Sequence, residues 1–238
     1  MVGLGECGTR AVIAARIGPL AVGERELTEQ LLQRFEPGML VMADRGFYSL
    51  ALWVKAAETG ADLLWRVSET VDLPVLEVFP DGSYRSVLAD VIARQRYRRH
   101  VRSGRADARL EGLAVRVVDY RVDGPAGNGD LYRLITTVLD PGEAPALELA
   151  AAYHQRWEFE VALAEIETYQ RGPARPLRSK SPEMVRQEIW ALLTTHYAIR
   201  NLMHQAASGA GLDPDRMSFV RSLRVVRRLA TDQAAFSP

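Results

Sequence analysis

The sequence predicts an α/β protein: a mixed sheet flanked by helices, with an antiparallel β insertion before a long helix and a helical C-terminal tail. Three observations carry this. Strand-like and helix-like segments alternate through residues 1–70, the order of a partly parallel sheet. Residues 71–141 change to strand pieces separated by turn signals, and residues 142–238 read mostly with helical periodicity. The expected division is a core region at 1–70, a β-rich insertion at 71–141, a returning core helix at 142–172 and a basic helical region at 173–238.

In order, CGTRAVIAARIG (7–18) is β-branched and partly alternating, reads as a strand, and closes at Gly18-Pro19. Gly3, Gly5 and Gly8 spell a G-x-G-x-x-G, but no strand is expected before it and no helix after it, so the dinucleotide fingerprint lacks its context. Residues 24–35 place Leu27, Leu31, Leu32 and Phe35 on one helical stripe that stops at Pro37-Gly38. MLVMADRGFYS (39–49) is a continuous apolar run ending in Asp44-Arg45-Gly46, the pattern of a strand buried on both faces with a carboxylate at its C-terminal tip. Open α/β sheets bind ligands at that edge. Ser49 caps a helix through about Thr59, Gly60 ends it, and DLLWRVS (62–68) supplies another buried strand.

In the insertion, PVLEVF (74–79), LAVRVVDYRV (113–122) and LYRLITTVL (131–139) read as strands, with turns at Pro80-Asp81-Gly82 and at GPAGNGD (124–130). The latter lacks the Gly-Lys-Ser/Thr ending of a phosphate-cradling loop. RQRYRRHVRSGR (94–105) carries six arginines and no acid, which fits either a solvated hairpin or a segment tracking a nucleic-acid backbone. A helix starts near Pro145 and runs to Arg171-Gly172-Pro173, with Tyr153, Arg156 and Glu160 on one face. Another begins at Ser181-Pro182 and runs to about Met203, and the basic FVRSLRVVRRL (219–229) follows.

The 238 residues carry no net charge, but the charge is uneven: residues 1–70 hold seven Lys or Arg against nine acids, whereas 171–238 hold eleven against five. The basic surface is therefore local. A single cysteine, Cys7, excludes an internal disulfide and a Cys-based zinc cage. No apolar run approaches the roughly 20 residues of a membrane span, and MVGLGECGTR does not read as a signal peptide, so a cytoplasmic protein without a membrane partner is expected. His154, His196 and His204 lack a paired metal-ligand spacing and read as helix-face or core residues, and Trp53, Trp65, Trp157 and Trp190 read as core.

Singly, an Asp at a strand tip is a common turn former, and Arg156 with Glu160 is an ordinary i,i+4 ion pair. Together, two carboxylates from distant positions suit magnesium or manganese, hard ions that favour carboxylate oxygens. The element order, Asp-Arg-Gly-Phe at 44–47 and Tyr-x-x-Arg-x-x-x-Glu at 153–160 resemble the insertion-sequence transposases of the IS-four type, within the ribonuclease-H-like transposases and integrases that carry an Asp-Asp-Glu triad. The likeness extends to Cys7-Gly8-Thr9, Gly23-Glu24, Pro37-Gly38-Met39-Leu40, Leu177-Arg178-Ser179-Lys180-Ser181-Pro182 and the Arg-rich tail, so it covers essentially the whole chain.

That resemblance implies metal-dependent cleavage and transfer of DNA strands, with Asp44 and Glu160 as catalytic metal ligands and Mg2+ or Mn2+ as cofactor. It implies DNA contacts at Tyr153, Arg156 and Arg45, and the basic run adds Arg96, Arg98 and Arg99. The implied partners are double-stranded transposon ends and a second copy or a full-length transposase. Two departures bear on activity. The family's Lys seven residues after the Glu is replaced by Glu167, read as two turns along the same face, and no Asp precedes Asp44 to serve as the triad's first, Glu6 being a poor substitute. The expectation is an N-terminally truncated transposase catalytic domain, inactive alone. The alternatives are a non-catalytic DNA-binding or transposase-pairing remnant acting as an inhibitor, and a decayed pseudogene product.

Overall fold

The computed structural model describes residues 1–104, 109–122, 129–172 and 176–231. Among these the strands are β1 (Val2–Gly5), β2 (Val12–Arg16), β3 (Leu40–Ala43), β4 (Asp62–Val67), β5 (Glu77–Val78), β6 (Tyr84–Leu88), β7 (Leu113–Arg121) and β8 (Leu131–Thr136). The helices are α1 (Glu24–Glu29), α2 (Leu50–Ala57), α3 (Val91–Arg102), α4 (Ala146–His154), α5 (Trp157–Ala164), α6 (Pro182–Gly209) and α7 (Phe219–Thr231), with a π-helical turn at Glu165–Gln170. The chain forms two compact units, one of Leu20–His154 and one combining Met1–Pro19 with Gln155–Pro238.

The unit Leu20–His154 is built on a six-stranded mixed sheet in the order β3-β4-β8-β7-β6-β5. The β3–β4 pair is parallel, in register from Leu40 opposite Asp62 to Ala43 opposite Trp65, and the other pairs are antiparallel. Strands from the 71–141 stretch thus extend the sheet begun by β3 and β4. Leu64, Val118 and Leu134 of the sheet pack with Ala146, Leu149 and Tyr153 of α4, while Trp53 meets Trp65 edge to face at 5.3 Å. The fully buried Arg116 is matched by Asp81 at 2.5 Å, the Ser83 hydroxyl at 2.8 Å and the Ala144 carbonyl at 2.6 Å. Asp81 also accepts the Ala146 N–H at 2.9 Å, so a distant turn caps α4.

In the other unit, β1 and β2 form an antiparallel hairpin, and Val12, Ala15, Ala162, Ile166 and Leu193 make one core while Ile199, Met203, Phe219 and Leu223 make a second. The sequence reading missed β1. Gly3 and Gly5 lie in that strand because Phe159 packs on it: a Cβ at Gly5 would come within 2.5 Å of the ring.

Several expectations are corrected. Residues 94–102 are helical, not a hairpin, because the Asp90 carboxylate accepts the Ala93 N–H and starts α3. Arg105 and residues 124–128 of the GPAGNGD turn lie outside the described residues. β3 is buried at Val41 but exposed at Leu40, since among the described residues no strand pairs on its other side. The long helix through Tyr153 and Glu160 is interrupted at Gln155–Arg156, where Glu158 and Phe159 bond three residues back instead of four. Trp157 and Trp190 are about half exposed, on the solvent-facing sides of α5 and α6, unlike the buried Trp53 and Trp65. Among the described residues no helix is long and apolar enough to cross a membrane.

Candidate active site

Asp44 follows the last residue of β3 and enters a tight turn in which Phe47 donates to the Asp44 carbonyl at 3.0 Å. The turn leads to Ser49, whose hydroxyl accepts the Leu52 N–H at 3.2 Å and starts α2. The carboxylate takes both its contacts on one oxygen: Oδ1 accepts the Arg45 N–H at 2.7 Å and lies 3.4 Å from the Tyr153 hydroxyl, a long bond. Oδ2 makes no hydrogen bond among the described residues, and Asp44 is part-exposed. Tyr153 is buried in the core of its unit, so its hydroxyl is the part that reaches the strand tip, where the Ala43 carbonyl is 3.5 Å away. Arg45 is exposed beside them.

Glu160 lies on α5 in the other unit, its side chain 42% exposed. Arg156, at the start of α5, donates from one terminal nitrogen to Oε1 at 2.9 Å, and Oε2 has no hydrogen bond among the described residues. The structure thus brings Asp44, Arg45 and Tyr153 together in one unit, and Arg156 and Glu160 together in the other. Arg96, Arg98 and Arg99 are exposed on α3, in the same unit as Asp44. In kind, the two carboxylates fit a hard divalent ion, each with one oxygen tethered and one available. In number they fall short of a triad: no group of three or more His, Cys, Asp or Glu side chains is placed to hold a metal among the described residues.

The sequence reading missed the groups that brace α5. The turn after β1 holds Arg10 at φ +57°, a left-handed conformation uncommon outside glycine, with its guanidinium bonded to Glu158 and 3.4 Å from Asp215. Cys7 in that turn is pushed up by burial and by the Glu158 and Glu6 charges, with Arg156 pulling the other way, so its thiol stays protonated. Just past α5, Glu165 is buried with Arg200 bonded to both its oxygens and His196 Nε2 at 3.0 Å. Burial alone would raise the Glu165 carboxyl, but the hydrogen bonds from His196 and Arg200 overcome it and hold the pKa below the ordinary carboxylate value. The i,i+31 and i,i+35 spacings of that cluster leave no local signal in sequence. Glu167 is exposed within the π-helical turn, closed by the Arg171 N–H on the Ile166 carbonyl at 2.9 Å. That wider turn shifts the helical phase, so Glu167 is not simply two α-turns along the Glu160 face.

The family model of the transposase DDE domain matches residues 7–197. The chain is also similar to the transposase InsG for insertion sequence element IS4 of Escherichia coli (strain K12), with 28% identity over 234 residues. That alignment takes in 98% of this chain and 50% of the other, so the chain spans about half the length of the curated relative it matches.

Proposed function

The chain belongs to the transposase DDE domain family, of the IS-four type with a ribonuclease-H-like mixed sheet, and from that premise we propose that it is the DNA cleavage and strand-transfer domain of an insertion-sequence transposase. The observation that carries the proposal is the matched state of two carboxylates: Asp44 at a strand tip and Glu160 on α5 each have one oxygen tethered by a neighbour and one left for a ligand. Asp44 and Glu160 would hold Mg2+ or Mn2+, which supplies Lewis-acid activation at a DNA phosphodiester when bound.

The protein's own groups then have distinct tasks. The Arg45 N–H holds Oδ1 of Asp44, with the Tyr153 hydroxyl at 3.4 Å from the same oxygen, which leaves Oδ2 for the metal. The Arg156 fork neutralises Glu160 until a phosphate offers it a bidentate partner, and Arg156 then grips the DNA. Tyr153 reaches a phosphate only through its hydroxyl, because its ring is buried. Arg45, Arg96, Arg98 and Arg99 contribute cations toward the backbone. No Asp precedes Asp44 within these 238 residues, so they hold two carboxylates of a three-carboxylate set, and we propose that these residues by themselves do not cut DNA.

Incubation of the purified chain with supercoiled DNA and Mg2+ or Mn2+ tests this, and the expected result is uncut plasmid. Nicking lost in Asp44→Ala and in Glu160→Ala would overturn the inactivity and uphold the site. Nicking that survives both substitutions would contradict the site itself.

A further inference from the structure

We propose that the outward face of α3 is a sequence-independent binding surface for the phosphodiester backbone of duplex DNA, formed by Arg96, Arg98, Arg99 and Arg102. The inference rests on the DNA-processing reading above and sharpens it by naming which arginines of the basic run meet DNA and which do not.

The burial pattern of α3 divides its faces. Ala93, Arg94, Tyr97 and His100 are the half-buried positions, spaced i, i+1, i+4 and i+7, so they form the stripe turned toward the protein. Arg94 serves that inner face: its guanidinium bonds the Ala89 carbonyl at 3.0 Å, the Asp72 carboxylate at 3.1 Å and the Asp72 carbonyl at 3.0 Å. Arg96, Arg98, Arg99 and Arg102 are exposed, and none has an ion-pair or hydrogen-bond partner for its side chain among the described residues. The helix contains no acid, and the adjoining Asp90 is engaged with the Ala93 N–H.

This charge pattern opposes the helix. Arg98 and Arg102 are i,i+4 neighbours, and Arg96 and Arg99, like Arg99 and Arg102, are i,i+3 neighbours, spacings at which like charges repel. No residue of α3 is fully buried, so little apolar packing offsets that repulsion, and Val91, Ile92 and Val101 are exposed on it as well. A polyanion along the outer face supplies the missing counter-charge. From Arg96 to Arg102 is six residues, about 9 Å along the helix axis, enough to meet about two or three successive phosphates at the ~3.4 Å rise of one DNA strand. Four guanidinium forks on a rigid element suit phosphate oxygens and carry no base readout.

The test is carried out in chelator, so that no metal site contributes. A fluorescent duplex of random sequence is titrated with the full chain at several salt concentrations, followed by anisotropy. Changing Arg96, Arg98, Arg99 and Arg102 together to Gln should weaken binding uniformly across sequences and flatten the slope of log affinity against log salt by roughly 2 to 3, about 0.9 for each phosphate met. The same four positions changed to Lys should keep most of that slope. In the unaltered chain, amide hydrogen exchange across residues 91–102 should slow when duplex is added, a readout independent of how the variants fold. An unchanged slope in the Gln variant, or exchange across α3 indifferent to DNA, overturns the proposal. So does polyglutamate competing as strongly as duplex per charge, which would assign the face to an acidic protein. None of these failures touches Asp44 or Glu160, and failure of the plasmid test leaves this surface standing.

Discussion

Glu165 shows how much can rest on one carboxylate. It neutralises a buried Arg200 and bonds a buried His196, so Glu165→Ala strands a charge in the interior and should cost about 3–5 kcal/mol of stability, read from urea unfolding. Arg200→Ala should be of similar size, and the two losses should not add. Gly5 is constrained by space: Gly5→Ala sets a methyl against the Phe159 ring and should cost about 1–3 kcal/mol, with recovery when Phe159→Leu accompanies it. At this scale the candidate site was legible where its signal is local. Asp44 after an apolar run and Arg156 four residues before Glu160 could be picked out directly, whereas Arg10 at positive φ and the Glu165 cluster depend on partners far away in sequence.

Among the elements, α2 follows its own punctuation, whereas the helix expected over 24–35 ends as an α-helix at Glu29 and is followed only by a 3-10 helix at Leu32–Arg34. α2 is bounded by Ser49 as cap and Gly60 at φ +82°, and Ser49→Ala should cost about 1 kcal/mol through the lost bond to the Leu52 N–H. The sequence of α3 reads as a solvated hairpin or a segment tracking a nucleic-acid backbone, because its arginines hide the Asp90 cap and the half-buried stripe of Ala93, Arg94, Tyr97 and His100. The interruption at Gln155–Arg156 and the π-helical turn at Glu165–Gln170 carry no Gly or Pro within them, so neither break is written in composition. α4 begins where Pro145 suggests, but its cap is Asp81, 65 residues away. Asp81→Ala removes that cap and the partner of buried Arg116 at once, and a loss of about 3–5 kcal/mol is expected by chemical denaturation.

Across the molecule, the two lowered carboxylates that pair with buried arginines, Asp81 and Glu165, set the acid limit of stability. Burial would raise Asp81, yet hydrogen bonds from Ser83 and the Ala146 N–H, with the Arg116 charge, bring it below its ordinary value, and Glu165 is lowered as described. For such groups the unfolded state binds protons first, so their contribution is complete above the unfolded pKa of about 4 and is lost as pH falls through the lower folded pKa. Urea midpoints should therefore fall steeply below about pH 4, and Asp81→Asn and Glu165→Gln should each flatten that fall. The mixed sheet, the helical C-terminal region and the family were all readable from order and motif. The pairing of β8 with β4, which carries strands from the 71–141 stretch into the same sheet as Asp44, depends on contacts more than sixty residues apart. The central claim is that Asp44 and Glu160 are the metal-holding carboxylates of a transposase DDE domain. Paramagnetic broadening of backbone amide signals by substoichiometric Mn2+ tests it most directly. Broadening confined to the turn after β3 and to α5, and lost in Asp44→Asn and Glu160→Gln, is predicted; broadening centred elsewhere, or unchanged in both variants, would contradict it.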